Sequence, residues 1–179
     1  GEGLSMADST SLTGLLPGTH GVSDNGIEIG LRAKHRQDPA VIHSTDNIYD
    51  VQAGAQSGTV TNRAWWNYEF SINLNPSGGS PFLSLNDVSV SLFIEDLTAG
   101  VSATVNPLTY WTDNSTWGPS GKQTQNLADW GAQNSQNGVF GDFPLAGVNG
   151  YAFDMNANNY YQFTLTVETK SGVAAPRTL

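Results

Sequence analysis

In the stretch Tyr160 to Thr169, Tyr161, Phe163, Leu165 and Val167 alternate with Gln162, Thr164, Thr166 and Glu168. This strict period of two puts the apolar set on one face of an extended chain and the polar set on the other. A helix, with its period of 3.6, cannot separate the two sets, so the segment is predicted as a half-buried strand. Three further segments follow the same rule. Ile27, Ile29, Leu31 and Ala33 oppose Glu28, Arg32, Lys34 and Arg36; Trp66, Tyr68, Phe70 and Ile72 oppose Trp65, Asn67, Glu69 and Ser71. Val88, Val90, Leu92 and Ile94 stand in phase within Asp87 to Glu95. Shorter strands are expected at Ile48 to Gln52, Val101 to Val105 and Leu108 to Thr112. Between the strands lie turn signals: Asp24-Asn25-Gly26, the Pro/Gly/Ser run from Asn75 to Pro81, and Asp96 to Gly100.

No helical pattern is longer than one turn, the candidate being Asn126 to Trp130 within the least strand-like stretch, Thr116 to Gly138. Short strands and frequent turns predict an all-β fold, an antiparallel β-sandwich of jelly-roll or Ig-like type. A chain of 179 residues suits one domain of ~50–250 residues. The expected division is an N-terminal extended segment at 1–23, the sandwich at 24–170 and a tail at 171–179.

Composition narrows the function. With no cysteine, neither disulfides nor a thiolate metal site can contribute. Sixteen acidic against seven basic residues give a net charge of −9, a field that repels nucleic acid and anionic membrane. Charged residues make up only 13% of the chain, against about 25% in an ordinary soluble domain. Asn, Ser, Thr and Gly replace them, which suits half-solvated strands and their turns and is commoner outside cells. No apolar run reaches the ~20 residues that span a bilayer, and no basic start leads into an apolar stretch, so a mature, secreted form is expected.

Several segments, in order, resemble a group of bacterial extracellular proteins sorted through a C-terminal PEP-CTERM signal. They are Asn25-Gly26-Ile27-Glu28-Ile29-Gly30-Leu31-Arg32-Ala33-Lys34, the strand Trp65 to Asn73, Ala132-Gln133-Asn134-Ser135-Gln136, and Phe153-Asp154-Met155-Asn156-Ala157-Asn158 leading into Tyr161 to Val167. The resemblance spans about residues 24 to 169. It implies export to the cell surface or biofilm matrix of a Gram-negative-type bacterium, and it implies no enzymatic activity. Where that family carries Pro-Glu-Pro, an apolar helix and basic residues, this chain has Ala174-Ala175-Pro176-Arg177-Thr178-Leu179. Either a cleaved anchor or another route of release is the expectation there.

Residues with chemistry to offer are few. His20, His35 and His43 form no His-x-His or His-x-x-x-His pair. Gly118-Pro119-Ser120-Gly121-Lys122 lacks the first Gly and the final Ser/Thr of a phosphate loop. Glu69 stands beside Trp65 on a strand face, but hydrolysis of a glycoside needs a second carboxyl ~5–9.5 Å away, and Asn67 and Ser71 are its in-phase neighbours. Asp154, Asn156 and Asn158 resemble the opening of a calcium loop; Asn159 and Leu165 replace the Gly and Glu of an EF-hand, so an Asx-rich turn is favoured over calcium. Trp117 and Trp130 are the candidates for stacking on carbohydrate, against the alternative that they plug the sandwich ends. Asn114-Ser115-Thr116 matches a glycosylation acceptor.

The leading expectation is a non-enzymatic structural protein whose partners are copies of itself. Leu4, Met6, Leu12 and Leu15 are spaced along a Gly/Ser/Thr-rich segment suited to completing a neighbour's sheet and so building a filament. Folding back onto its own domain is the competing expectation. A carbohydrate-binding module, with polysaccharide as partner, is the alternative function, and an extracellular glycoside hydrolase the third.

Overall fold

The computed structural model describes the backbone of residues 2–6, 20–24, 27–36, 44–45, 48–55, 62–78 and 82–170, with side chains from residue 27 onward except those of 44–45. The strands in chain order are β1 (Glu2–Met6), β2 (His20–Asp24), β3 (Ile27–His35), β4 (Ser44–Thr45), β5 (Ile48–Val51), β6 (Trp66–Asn73), β7 (Val88–Asp96) and β8 (Val101–Val105). After a helical turn, α1 (Pro107–Tyr110), come β9 (Ser115–Gly118), β10 (Gly121–Thr124), β11 (Gly131–Gln136) and β12 (Tyr161–Thr169). They form two six-stranded sheets. Sheet A runs β4-β5-β1-β12-β7-β8 and sheet B runs β10-β9-β11-β6-β3-β2. All pairings are antiparallel except β1 with β12.

The alternation seen in the sequence becomes the core of an all-β sandwich. Leu31, Ala33, Trp66, Tyr68, Phe70 and Ile72 of sheet B are buried, as are Val88, Val90, Leu92, Ile94, Phe163 and Leu165 of sheet A. The sheets meet where the Tyr68 and Phe163 ring centroids lie 4.7 Å apart and those of Trp66 and Tyr161 5.7 Å apart. Each such aromatic pair adds about 0.5–1.5 kcal/mol to the gain from burial. Trp111, Phe143 and Leu145, all outside strands, are buried in the same core.

Three expectations change. Leu108 to Thr112 is not a strand: Asn106 Oδ1 accepts the Leu108 N–H at 3.0 Å and Pro107 opens α1, so an N-cap and a Pro at the first helical position override the β-branched residues that follow. Thr116 to Gly138, expected to be irregular, supplies strand from β9 to β11. Its inward residues are small or polar (Thr116, Ala132, Gln136), so the chain shows no apolar alternation there. Asn126 to Trp130 forms no helix; Asn126 Oδ1 accepts the Ala128 N–H at 3.1 Å in an Asx turn. Within the expected N-terminal segment, β1 lies between β5 and β12 in sheet A and β2 pairs with β3 at the edge of sheet B.

No helix among the described residues is long and apolar enough to cross a membrane.

Candidate functional site

Two places on the sandwich offer more than packing. The first is the β1 position. Leu4, Ser5 and Met6 lie in parallel register with Tyr161, Gln162 and Phe163, and Glu2 to Ser5 lie antiparallel to Val51 to Ile48. β1 is therefore bonded on both sides, and only residues 7–19 separate it from β2. Leu4 and Met6 thus fall in a central strand; Leu12 and Leu15 lie outside the described residues.

The second is the outer face of sheet B, where three rows of residues cross the strands. The middle row is Gly30, Ser71, Gln133 and Ser115, each in register with the next on β3, β6, β11 and β9. Its side chains are short except for Gln133, so it forms the floor of a groove of about 420 Å³. One flank is the row Arg32, Glu69 and Ser135, with Asp113 and Asn134 at its end. On the other side of the floor the next row is Glu28, Asn73, Gly131 and Trp117, which does not line the groove.

Both cations of the groove are paired with Glu69. Arg32 Nε donates to Glu69 Oε2 at 2.6 Å, and Lys34 Nζ reaches Glu69 Oε1. Burial pushes the Glu69 carboxyl up, but hydrogen bonds from Lys34, Ser135 and Arg32 outweigh it and hold the group below its ordinary value. Glu69 is thus held ionised, the opposite of what a glycosidase acid needs. Asp113, in the same groove, accepts from Asn134 Nδ2 at 2.8 Å. The Ser115 hydroxyl is buried and has no hydrogen-bond partner among the described residues.

The two tryptophans singled out from the sequence part company. The Trp117 indole lies flat on Gly131: a Cβ built there would stand 2.0 Å from Cε2, so only glycine leaves room for the ring. Trp130, one residue on from the tight turn, packs edge-on to Phe82 with centroids 4.7 Å apart, against the core. Trp117 therefore covers Gly131 on the outer face of sheet B, outside the groove, and Trp130 belongs to the packing.

The remaining candidates have local explanations. Asp154 Oδ1 accepts the Asn156 N–H at 2.9 Å and the Asn156 Nδ2 at 3.3 Å, an exposed Asx turn; no group of three or more metal-binding side chains occurs among the described residues. Gly118 and Gly121 close the β9–β10 hairpin, with Gly121 at φ +83°. His35 stacks near Trp65 at 5.7 Å, His20 contributes to β2, and His43 lies outside the described residues. Asn114 is fully buried, and its Nδ2 donates to Pro107 O, Trp111 O and Gln125 Oε1, each at 2.9 Å. The glycosylation motif therefore presents no accessible acceptor in the folded chain.

The groove floor was missed from the sequence. Ser71, Gln133 and Ser115 lie far apart in the chain, and only strand register brings them into line. Gly30, which breaks the charged alternation of Glu28 and Arg32, was the available signal. No family model, no curated protein and no solved structure matches this chain.

Proposed function

We propose that this protein is a non-enzymatic extracellular structural protein of a bacterial surface or biofilm matrix, and that copies assemble by exchanging β1. The observation that carries this reading is β1 itself, a central strand of sheet A joined to β2 in sheet B through residues 7–19. Without it, β5 and β12 would each present a bare row of backbone donors and acceptors, which is a template for another strand. A neighbour's β1 makes the same hydrogen bonds as the chain's own. Thirteen residues (7–19) reach at most ~47 Å when extended, enough to pass from one small domain to the next. A head-to-tail exchange does not close, so it builds a filament. The sparse charge and the resemblance to exported surface proteins support the extracellular setting.

The absence of cysteine makes a clean test. Ser5 and Gln162 are register partners, so a Ser5→Cys chain is mixed with a Gln162→Cys chain and oxidised. Exchange gives a covalent heterodimer, and a chain carrying both substitutions gives a ladder on a non-reducing gel. A doubly substituted chain that closes only on itself, with no heterodimer from the mixture and a monomer by light scattering at high concentration, overturns the reading.

A further inference from the structure

We propose that β8, the open edge of sheet A, pairs with β8 of a second copy, antiparallel about a two-fold axis at Ala103. This goes beyond the exchange of β1 and does not depend on it, because the edge is open whether β1 is kept or given away.

The edge itself is the first observation. β8 pairs with β7 on one side only, and its outward backbone groups have no hydrogen-bond partner among the described residues. The turn Val148–Gly150 lies close to β8, but its backbone hydrogen bonds close on residues 145–151. A bare edge is a template for another strand unless a charge, a proline, a bulge or shortness blunts it. The other edges are blunted: β4 is two residues long, β10 carries Lys122, and β2 ends on Asp24. Val101-Ser102-Ala103-Thr104-Val105 has no such device.

The symmetry of that segment selects the occupant. Read in either direction, β8 is valine, hydroxyl, alanine, hydroxyl, valine. A two-fold rotation sets Val101 against the second copy's Val105, Ser102 against its Thr104, and Ala103 against itself. Every residue meets its own kind on its own face of the sheet, as a self-complementary contact requires. Ser–Thr pairs directly opposite each other hydrogen-bond across strands. An unrelated strand would be held by the backbone alone.

Charge permits the approach. A net charge of −9 makes copies repel, yet residues 97–112 contain no charged side chain. On the outer face Glu95 adjoins Ser102 and Phe93 adjoins Thr104. The two-fold therefore puts each Glu95 in a row with the second copy's Phe93, and no two acids share a row. Apolar surface gathers at both ends of the edge. Leu97 and Tyr160, joined by a 2.8 Å backbone hydrogen bond, are 48% and 54% exposed beyond Val101, and Tyr110 is 42% exposed beyond Val105. Antiparallel pairing brings the Leu97 end of one copy to the Tyr110 end of the other. Five residues a side is a small contact, so the dimer is weak and reversible.

Cysteine cross-linking of the full chain tests the proposal. Oxidation of Ala103→Cys gives a covalent homodimer that stops at two chains, whereas exchange of β1 gives a ladder. A mixture of Ser102→Cys and Thr104→Cys chains gives more heterodimer than either homodimer. The reason is register: like positions lie on the diagonal, ~7–8 Å apart, beyond the ~4.4–6.8 Å that a disulfide spans. Adding Ser102→Lys and Thr104→Lys, both at exposed positions, to the Ala103→Cys chain sets lysine opposite lysine and cuts the homodimer yield about tenfold. None of these results uses β1, so their failure leaves the Ser5 and Gln162 test standing, and the reverse holds too. A heterodimer no more abundant than the homodimers, or lysine-bearing chains that dimerise as well as Ala103→Cys, would each overturn the proposal.

Discussion

Asn137 shows how much one side chain can carry in a fold poor in charge. It is fully buried; its Nδ2 donates to Ala64 O, Trp66 O and Asn67 Oδ1 at 3.1, 2.8 and 2.8 Å, and its Oδ1 accepts the Ala64 N–H at 3.2 Å. These bonds hold the entry to β6 against the end of β11. Truncation to alanine strands buried backbone groups without water to replace the lost partner. Asn137→Ala is expected to cost about 3 kcal/mol, read as a lowered urea midpoint with an unchanged slope. Asp96 is built in the same manner. Its buried carboxylate accepts from Tyr151 Oη at 2.8 Å, from Asn159 Nδ2 at 2.6 Å, and from the Thr98 and Ala99 N–H groups at 2.9 Å. Neutral donors alone satisfy it, tying the β7–β8 turn to the approach to β12.

At the scale of elements, the strands differ in how visible they are. β3, β6, β7 and β12 each bury one face against the opposite sheet, and that demand writes an apolar residue at every second position. β11 buries its inward face with Ala132 and Gln136 instead, and β9 with Thr116, so tertiary hydrogen bonds replace the pattern that periodicity detects. β1 and β2 sit among Gly, Ser and Thr, where composition suggests a tail and only pairing makes a strand. The groove was legible only in fragments, Glu69 among them, because its alignment is a property of register between strands. α1 was obscured for a different reason: two local signals conflicted, and Asn106-Pro107 outweighed Leu108-Thr109-Tyr110. Asn106→Ala is accordingly expected to destabilise the protein by about 1 kcal/mol, measurable by thermal melting, while Thr109→Ala, with only a 3.4 Å contact to Asn106 O, changes little.

Across the whole molecule, stability should form a plateau bounded by two kinds of titration. Glu69 is held below its ordinary 4.5, by the Lys34, Ser135 and Arg32 hydrogen bonds outweighing burial, and Asp87 is held below 3.8, chiefly by the Ser84 N–H and hydroxyl. In the unfolded chain these groups take up protons at higher pH than in the native one. Their contribution is therefore complete above the unfolded values and is lost as pH falls through the native ones. At the other end, burial pushes Tyr161 up to about 12 and raises Tyr151 further. The unfolded phenols ionise first, so that contribution is complete below ~10 and is lost as pH rises beyond it. Urea midpoints measured across pH should fall on both sides, and Glu69→Gln should flatten only the acid limb. An acid limb as steep in Glu69→Gln as in the parent would contradict the pairing of Glu69 with Lys34 and Arg32.

The position of β1 also has a consequence in time. Its partner β12 lies beyond residue 160, and bringing segments so distant in sequence together is a slow, non-local event. β3, β5, β6 and β7 leave the ribosome long before β12 is complete, so sheet B can assemble its β2–β3–β6 portion while β1 in sheet A still waits for one of its two neighbours. For that interval β1 has β5 available on one side and nothing on the other. A strand whose second neighbour is made more than 150 residues later leaves one edge open to other chains in the meantime.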